Sequence, residues 1–246
     1  MRIILKASNV AAMIGRHRYK PRQEVLDELW KKHRPETFTS KTKEDRAEES
    51  LKLSVDAQAI LESALKVEAK DSNQVQKVFE VAQKAINFDT KLNKEQKAEV
   101  IEHIRSKVYT THGTRSEDKT AETVSVSEGV KLVRDDNFYT LPVCEIFENK
   151  YVICGKVDRI EERPDGSKVL VEIKNRTNRI FGSVPEYEFI QVQVYLQMLG
   201  LVHARVVEQY NNQVLSHDVT RDEEFWQNKV IPGLKEFCEE LNEKLI

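Results

Sequence analysis

The stretch GKVDRIEERPDGSKVLVEIKN, residues 155 to 175, decides how the chain folds. The segments VDRI and KVLVEIK are rich in β-branched residues, and the Pro164-Asp165-Gly166 between them is strong turn chemistry. They predict a β-hairpin. Side chains alternate across a strand, so Glu172 and Lys174 share one face while Val171 and Ile173 share the other. A carboxylate and an ammonium therefore sit side by side, with Asp158 on the strand that precedes them.

Charged residues make up 33% of the chain, so Glu-x-Lys arises readily by chance, and it recurs at Glu68, Glu95, Glu117, Glu148 and Glu172. Glu68 and Glu95 fall in helical patterns, where residues two apart do not face each other, and Glu148 falls in the turn of FENKYV. Only Glu172 combines a strand with an upstream acid across a tight hairpin. The hairpin alone is compatible with a cross-strand salt bridge as much as with a site.

At 246 residues the chain can bury a large core, as one domain with an added lobe or as two small ones. No apolar run reaches membrane-spanning length, and MRIILKASN lacks a signal-peptide hydrophobic region. The expectation is a soluble intracellular protein, in host cytoplasm or nucleus if viral. Cys144, Cys154 and Cys238 are an odd number at no metal-ligand spacing and read as reduced packing residues. A net charge of −2 argues against coating nucleic acid through bulk charge, though local basic clusters remain.

Toward the N-terminus, SNVAAMIG has apolar residues at helical spacing, with Ser8 or Asn9 as N-cap and Gly15 as stop. The basic loop RHRYKPR and the helix QEVLDELWKKH follow. From 37 to 109 the chain is charged and helical. NQVQKVFEVAQKAINF places Val75, Val78, Phe79, Ala82 and Ile86 on one stripe, and KEQKAEVIEHIRSKV opens with Asn93 and Gln96 at capping-box spacing. This predicts an N-terminal helical region over 1–110, packing on a core over 111–246, with a soft boundary near 107–112. Within that core a short helix over 113–123 precedes the strands FYTLPVCEIF, KYVICGKVDRI and KVLVEIKN. The helix EFIQVQVYLQMLG, a hairpin turned at Asn211-Asn212 and a closing helix over 222–244 complete it. The class is α+β, a mixed or antiparallel sheet covered by helices.

In succession, HGTRSE, GKVDRI, VEIKN and FIQVQVYLQM resemble the PD-(D/E)xK nuclease superfamily, and within it the lambda exonuclease and YqaJ-type viral recombinase branch. That branch is recognised by Gly-x-x-x-Glu opening a helix, here Gly113 to Glu117, then an Asp, a Glu-x-Lys strand, and a Gln-x-Gln helix, here Gln191 and Gln193. KASNVAAMIG also resembles its Ser-containing opening helix. The likeness covers roughly 3–34 and 110–246, while the helical stretch between is longer than its counterpart. It implies a restriction-endonuclease-like core and a metal-dependent DNA exonuclease of recombination, repair or replication. The related branch that carries an iron–sulfur cluster needs four cysteines, and three cannot hold it.

The chemistry of the residues agrees. Asp158 and Glu172 supply hard anionic oxygens suited to Mg²⁺ or Mn²⁺, the backbone carbonyl of Ile173 can add another, and Glu117 can complete the shell directly or through water. A bound metal would polarise the scissile phosphate and acidify a water, and Lys174 beside it can orient that water and stabilise phosphorane charge. Gln191 and Gln193 stand roughly 200° apart around a helix, so both cannot face the sheet. The resemblance favours Gln191 as the catalytic partner and keeps Gln193 as second candidate. Tyr195, four residues on, reads either as core or as a base-stacking ring. His112 reads as a helix-start residue. For DNA contacts the candidates are Ser8, Arg16, Arg18, Arg176, Arg179 and Tyr195, with Lys20, Lys41 and Lys43 as further cations.

Function then falls into two classes. One is a Mg²⁺- or Mn²⁺-dependent deoxyribonuclease, expected to act 5′ to 3′ from duplex ends, with a structure-selective or restriction-type endonuclease as the alternative within it. The other is a nucleic-acid-binding module that lost hydrolysis. The partner is DNA, and the resemblance also admits a single-strand annealing protein and a homo-oligomer.

Overall fold

The computed structural model describes residues 1–246. Arg2–Lys6 form a strand, β1, whose Ile3 and Leu5 are fully buried while its ends are exposed. Five residues are too few for periodicity to be read before the helical pattern takes over. A short 3-10 turn, Ala7–Asn9, leads into α1 (Val10–Met13), and Gly15 ends the segment at φ +70°. Neither Ser8 nor Asn9 caps it with a side chain. Asn9 Oδ1 instead accepts from Lys20 Nζ at 3.4 Å.

α2 (Arg22–His33), α3 (Lys43–Leu53), α4 (Val55–Lys66) and α5 (Ser72–Phe88) follow. The stripe of α5 packs as its spacing predicts: Val75, Ala82 and Ile86 are buried against Leu51, Ala57, Val100 and Ile104. α6 then runs unbroken from Lys94 to Glu128, 35 residues or about 50 Å. The Asn93–Gln96 capping box opens it, and Gly129, in the left-handed conformation, closes it.

This continuity corrects two expectations. There is no separate helix over 113–123, and the boundary drawn near 110 falls inside α6. Its first half packs in the helical lobe through Val100, Ile104 and Val108, and its second packs Ala121 and Val124 on the sheet residues Val171, Ile173 and Val207. Gly113 costs a helix about 1 kcal/mol against alanine, too little to break one anchored at both ends. Residues of β1, α1 and α2 belong to the main core, among Tyr151, Ile190, Leu196 and Phe237.

Beyond α6 come β2 (Lys131–Arg134), β3 (Tyr139–Ile146), β4 (Asn149–Gly155), β5 (Arg159–Glu162) and β6 (Lys168–Asn175). α7 (Glu186–Leu199), β7 (His203–Tyr210) and β8 (Gln213–Thr220) follow. The close is α8 (Glu223–Phe225), a π-helical turn at Trp226–Val230, and α9 (Ile231–Leu245). Pro232 at the start of α9 has no N–H to give to the turn before it, which accounts for the irregular join.

The strands form two mixed sheets flanked by helices, β1-β4-β3 and β2-β5-β6-β7-β8. β1 on β4 and β6 on β7 are parallel pairs, and the rest are antiparallel. The α+β class therefore stands, as does the β5–β6 hairpin, with Gly166 at φ +83° in its turn. KYVICGKVDRI, however, is not one strand. It leaves the first sheet at Gly155 and joins the second at Arg159. A Cβ on Gly155 would lie 2.6 Å from Tyr195 Cε1 and 2.8 Å from Ala7 Cβ, so only glycine lets the chain pass beneath α7 there. Asp158 is thereby delivered at the junction of the two sheets, beside β6. No helix is long and apolar enough to cross a membrane.

Candidate active site

On β6 the alternation works as the sequence predicts. Val171 and Ile173 are buried against α6, and Glu172 and Lys174 face the other way. Lys174 Nζ pairs with Glu172 Oε1 at 2.8 Å and donates to Gln191 Oε1 on α7 at 3.1 Å. Gln191 Nε2 donates in turn to the Tyr195 hydroxyl at 3.2 Å, one helical turn on. The Ile173 N–H donates to Asp158 Oδ2 at 2.8 Å. Since the N–H and C=O of one strand residue leave by the same edge, the Ile173 carbonyl faces the gap that Asp158 occupies.

Three carboxylates meet in this field. Glu117 on α6 is pushed up to about 7 by burial and then by the Asp158 charge. Glu172 is pushed up to about 7 by the same two causes, against the pull of Lys174. Burial also raises Asp158, offset in part by the Ile173 N–H and by Lys174. For Lys174 burial works against the charge, but Glu172 and Glu188 outweigh it and hold the ammonium protonated. Glu172 Oε2 is buried with no hydrogen-bond partner. An orphaned carboxylate oxygen amid mutually repelling acids is the environment that a cation relieves.

The donor set therefore fits a hard divalent ion. No group of three Asp, Glu, His or Cys side chains stands ready to hold a metal by itself, so an ion here would need water or substrate oxygens besides Asp158 and Glu172. Around this set Arg159 pairs with Asp118, the neighbour of Glu117, and donates to the Asp158 carbonyl at 2.6 Å.

Asp158, Glu172, Ile173, Lys174 and Gln191 are thus joined by hydrogen bonds within one strand, its edge and α7, and Glu117 lies near enough to feel the Asp158 charge; the other candidates do not join them. Gln193 is fully buried, its Nε2 donating to the Thr220 carbonyl at 2.9 Å and its Oε1 accepting from the Asp222 N–H at 2.8 Å. It ties α7 to the end of β8, as the 200° offset from Gln191 dictates, and does not join Lys174. Tyr195 is 5% exposed, packed beneath Gly155, and cannot stack on a base. Arg176 is 8% exposed, and its fork is saturated by Glu188 (2.5 and 2.8 Å) and Glu208 (2.7 Å) over the Phe181 ring. Its guanidinium is directed at these two acids. Such a pairing draws its acids from 12 and 32 residues downstream, which local spacing cannot reveal.

Ser8, Arg18 and Arg179 are exposed. Arg16 pairs with Glu186 at 2.5 Å, and Arg18 lies over the Tyr19 ring. Lys20 pairs with Glu28, Lys41 with Glu49 and Lys43 with Glu24. His112 is buried near the Ser116 hydroxyl, and burial lowers its pKa. Sequence reasoning missed Asp118, Glu188 and Asn175. All three lay in segments already singled out, Asn175 directly after the Glu-x-Lys, Asp118 between Glu117 and Lys119, and Glu188 at the start of EFIQVQVYLQMLG, but their partners come from other elements.

No family model and no curated protein matches the chain. Among solved structures it is similar to an alkaline exonuclease from Laribacter hongkongensis, at 14% identity and a TM-score of 0.44, over 80% of this chain and 94% of that one. It is also similar to a phage related exonuclease from Haemophilus somnus, at 12% identity and a TM-score of 0.45, over 100% of this chain and 98% of that one.

Proposed function

We propose that the chain is a Mg²⁺- or Mn²⁺-dependent deoxyribonuclease that digests duplex DNA from its ends, 5′ to 3′, in recombination, repair or replication. The observation that carries the reading is the convergence of Asp158, Glu172, Lys174 and Gln191 at the junction of two sheets, with Glu117 facing them from α6. Asp158, Glu172 and the Ile173 carbonyl would hold the ion, with Glu117 reaching it directly or through water. The ion supplies polarisation of the scissile phosphate and an acidified water.

The chain's own residues do the rest. Lys174 has three N–H bonds. Two are spent on Glu172 Oε1 and Gln191 Oε1, which leaves the third for an attacking water or a phosphate oxygen. Lys174 acts there as a hydrogen-bond donor. Gln191, locked by Tyr195, holds the lysine in place.

Digestion of linear, nicked and covalently closed DNA under Mg²⁺ titration tests the reading. Degradation of linear duplex alone, stopped by EDTA, is the expected result. Cutting of closed circles would replace it with an endonuclease, and metal-dependent binding without hydrolysis with a binding module. A single-strand annealing partner and self-association are further proposals, tested by co-purification and by sedimentation.

A further inference from the structure

β6 ends one residue past Lys174, at Asn175, whose side chain turns away from the lysine and toward α6. Its Nδ2 donates to the Gly113 carbonyl at 3.0 Å, and its Oδ1 accepts from the Thr120 hydroxyl at 2.7 Å. Gly113, Glu117 and Thr120 are spaced i, i+4, i+7, which places them on one stripe of the helix. A single amide thus grips α6 one turn before and one turn after Glu117. Thr120 is 1% exposed, so its hydroxyl has no water to turn to in place of Asn175. The same strand carries Glu172 and Lys174, and Ile173 from it holds Asp158. Asn175 therefore joins the element bearing two acids and the lysine to the element bearing the third acid, at the level of that acid.

We propose that Asn175 is a positioning residue for the metal site, fixing the register of α6 against β6 so that Glu117 is held beside Asp158. The proposal rests on the metal-dependent reading above. An amide that merely stitched helix to sheet would serve as well anywhere along α6; this one brackets the candidate ligand. Partners of this kind typically change metal affinity by about 10- to 100-fold when removed.

The test is Mn²⁺ affinity measured by paramagnetic resonance of the free ion, on the whole chain without DNA. Asn175→Ala should weaken binding about tenfold, Thr120→Ser should retain it, and Glu117→Gln should weaken it. The double variant Glu117→Gln/Asn175→Ala should bind no more weakly than Glu117→Gln alone, because Asn175 acts through Glu117. Thr120→Val, which exchanges the hydroxyl for a methyl and so removes the bond to Asn175, carries the same test if Asn175→Ala fails to fold. Wild-type affinity in Asn175→Ala, or full additivity in the double variant, overturns the positioning role while leaving the metal site standing. A wild-type chain that takes up no Mn²⁺ overturns the metal reading and the positioning role with it.

Discussion

At the scale of single residues, what separates Glu172-Ile173-Lys174 from the four other Glu-x-Lys tripeptides is the company of Asp158 and Gln191, and substitution should expose it. Asp158→Asn, Glu172→Gln and Lys174→Ala should each lower DNA hydrolysis by about a hundredfold or more, since the first two remove a charge that would hold the ion and the third a donor to the reacting phosphate or water. Glu68→Ala and Glu148→Ala should cleave at the parent rate. Equal losses in both groups, read as single-turnover rates on a labelled linear duplex, would sink the assignment. The two glutamines part in the same way. Gln191→Ala should slow cleavage with little change in melting, whereas Gln193→Ala should leave the site chemistry alone and cost about 0.5–1.5 kcal/mol for each of the two backbone hydrogen bonds it removes. A urea melt beside the rate assay separates the two.

Elements are held in place by charges that the sequence made look like surface. Arg176 lies between α7 and β7 with Glu188 and Glu208, and removing it would leave buried Glu188 without its ion pair and Glu208 with only His217 and backbone N–H partners. Arg176→Ala should therefore lose about 3–5 kcal/mol. Among variants that still fold, the salt dependence of DNA binding should not change. A flattened salt slope with unchanged stability would return Arg176 to the DNA surface. Glu208 adds a pH dependence. Burial pushes its pKa up, but Arg176, His217 and the Gly182 N–H outweigh burial and set it below the ordinary 4.5. A depressed folded-state pKa contributes stability that is fully present above the unfolded value and lost as pH falls through the folded one. Between pH 4.5 and lower values Glu208→Gln should thus lose stability less steeply than the parent, a difference readable from melts at each pH. Gly113 belongs to this scale too. Nothing lies within 4 Å of a Cβ built there, so Gly113→Ala should stabilise α6 by about 0.5–1 kcal/mol. If that variant melts higher yet binds DNA more weakly, the open space beside it is where the nucleic acid passes.

Over the whole molecule, the legible parts were those governed by short-range rules. Alternation put Glu172 and Lys174 on one face, the Pro164-Asp165-Gly166 turn made the hairpin, and Asn93 with Gln96 opened a helix. What failed needed long-range information. β1 exists because β4 lies beside it, α6 continues through Gly113 because both its halves find partners, and the glutamates that claim Arg176 arrive from other elements. The basic loop after α1 is the remaining place where local charge and distant partners compete, and it decides whether the molecule reads an end. Ile14, Gly15, Arg16, His17, Arg18 and Glu186 line an open depression of about 530 Å³ there. A terminal 5′-phosphate carries more charge than an internal phosphate and suits a bidentate arginine, yet Arg16 already holds Glu186 across the depression. An arriving phosphate must displace that carboxylate, so Glu186→Gln should raise the preference for 5′-phosphorylated over 5′-hydroxyl duplex ends, while Arg16→Ala and Arg18→Ala erase it. Digestion rates on the two end types, measured for all four chains, decide the matter: a parent indifferent to the 5′-phosphate, with Glu186→Gln equally indifferent, would leave the loop a solvated surface.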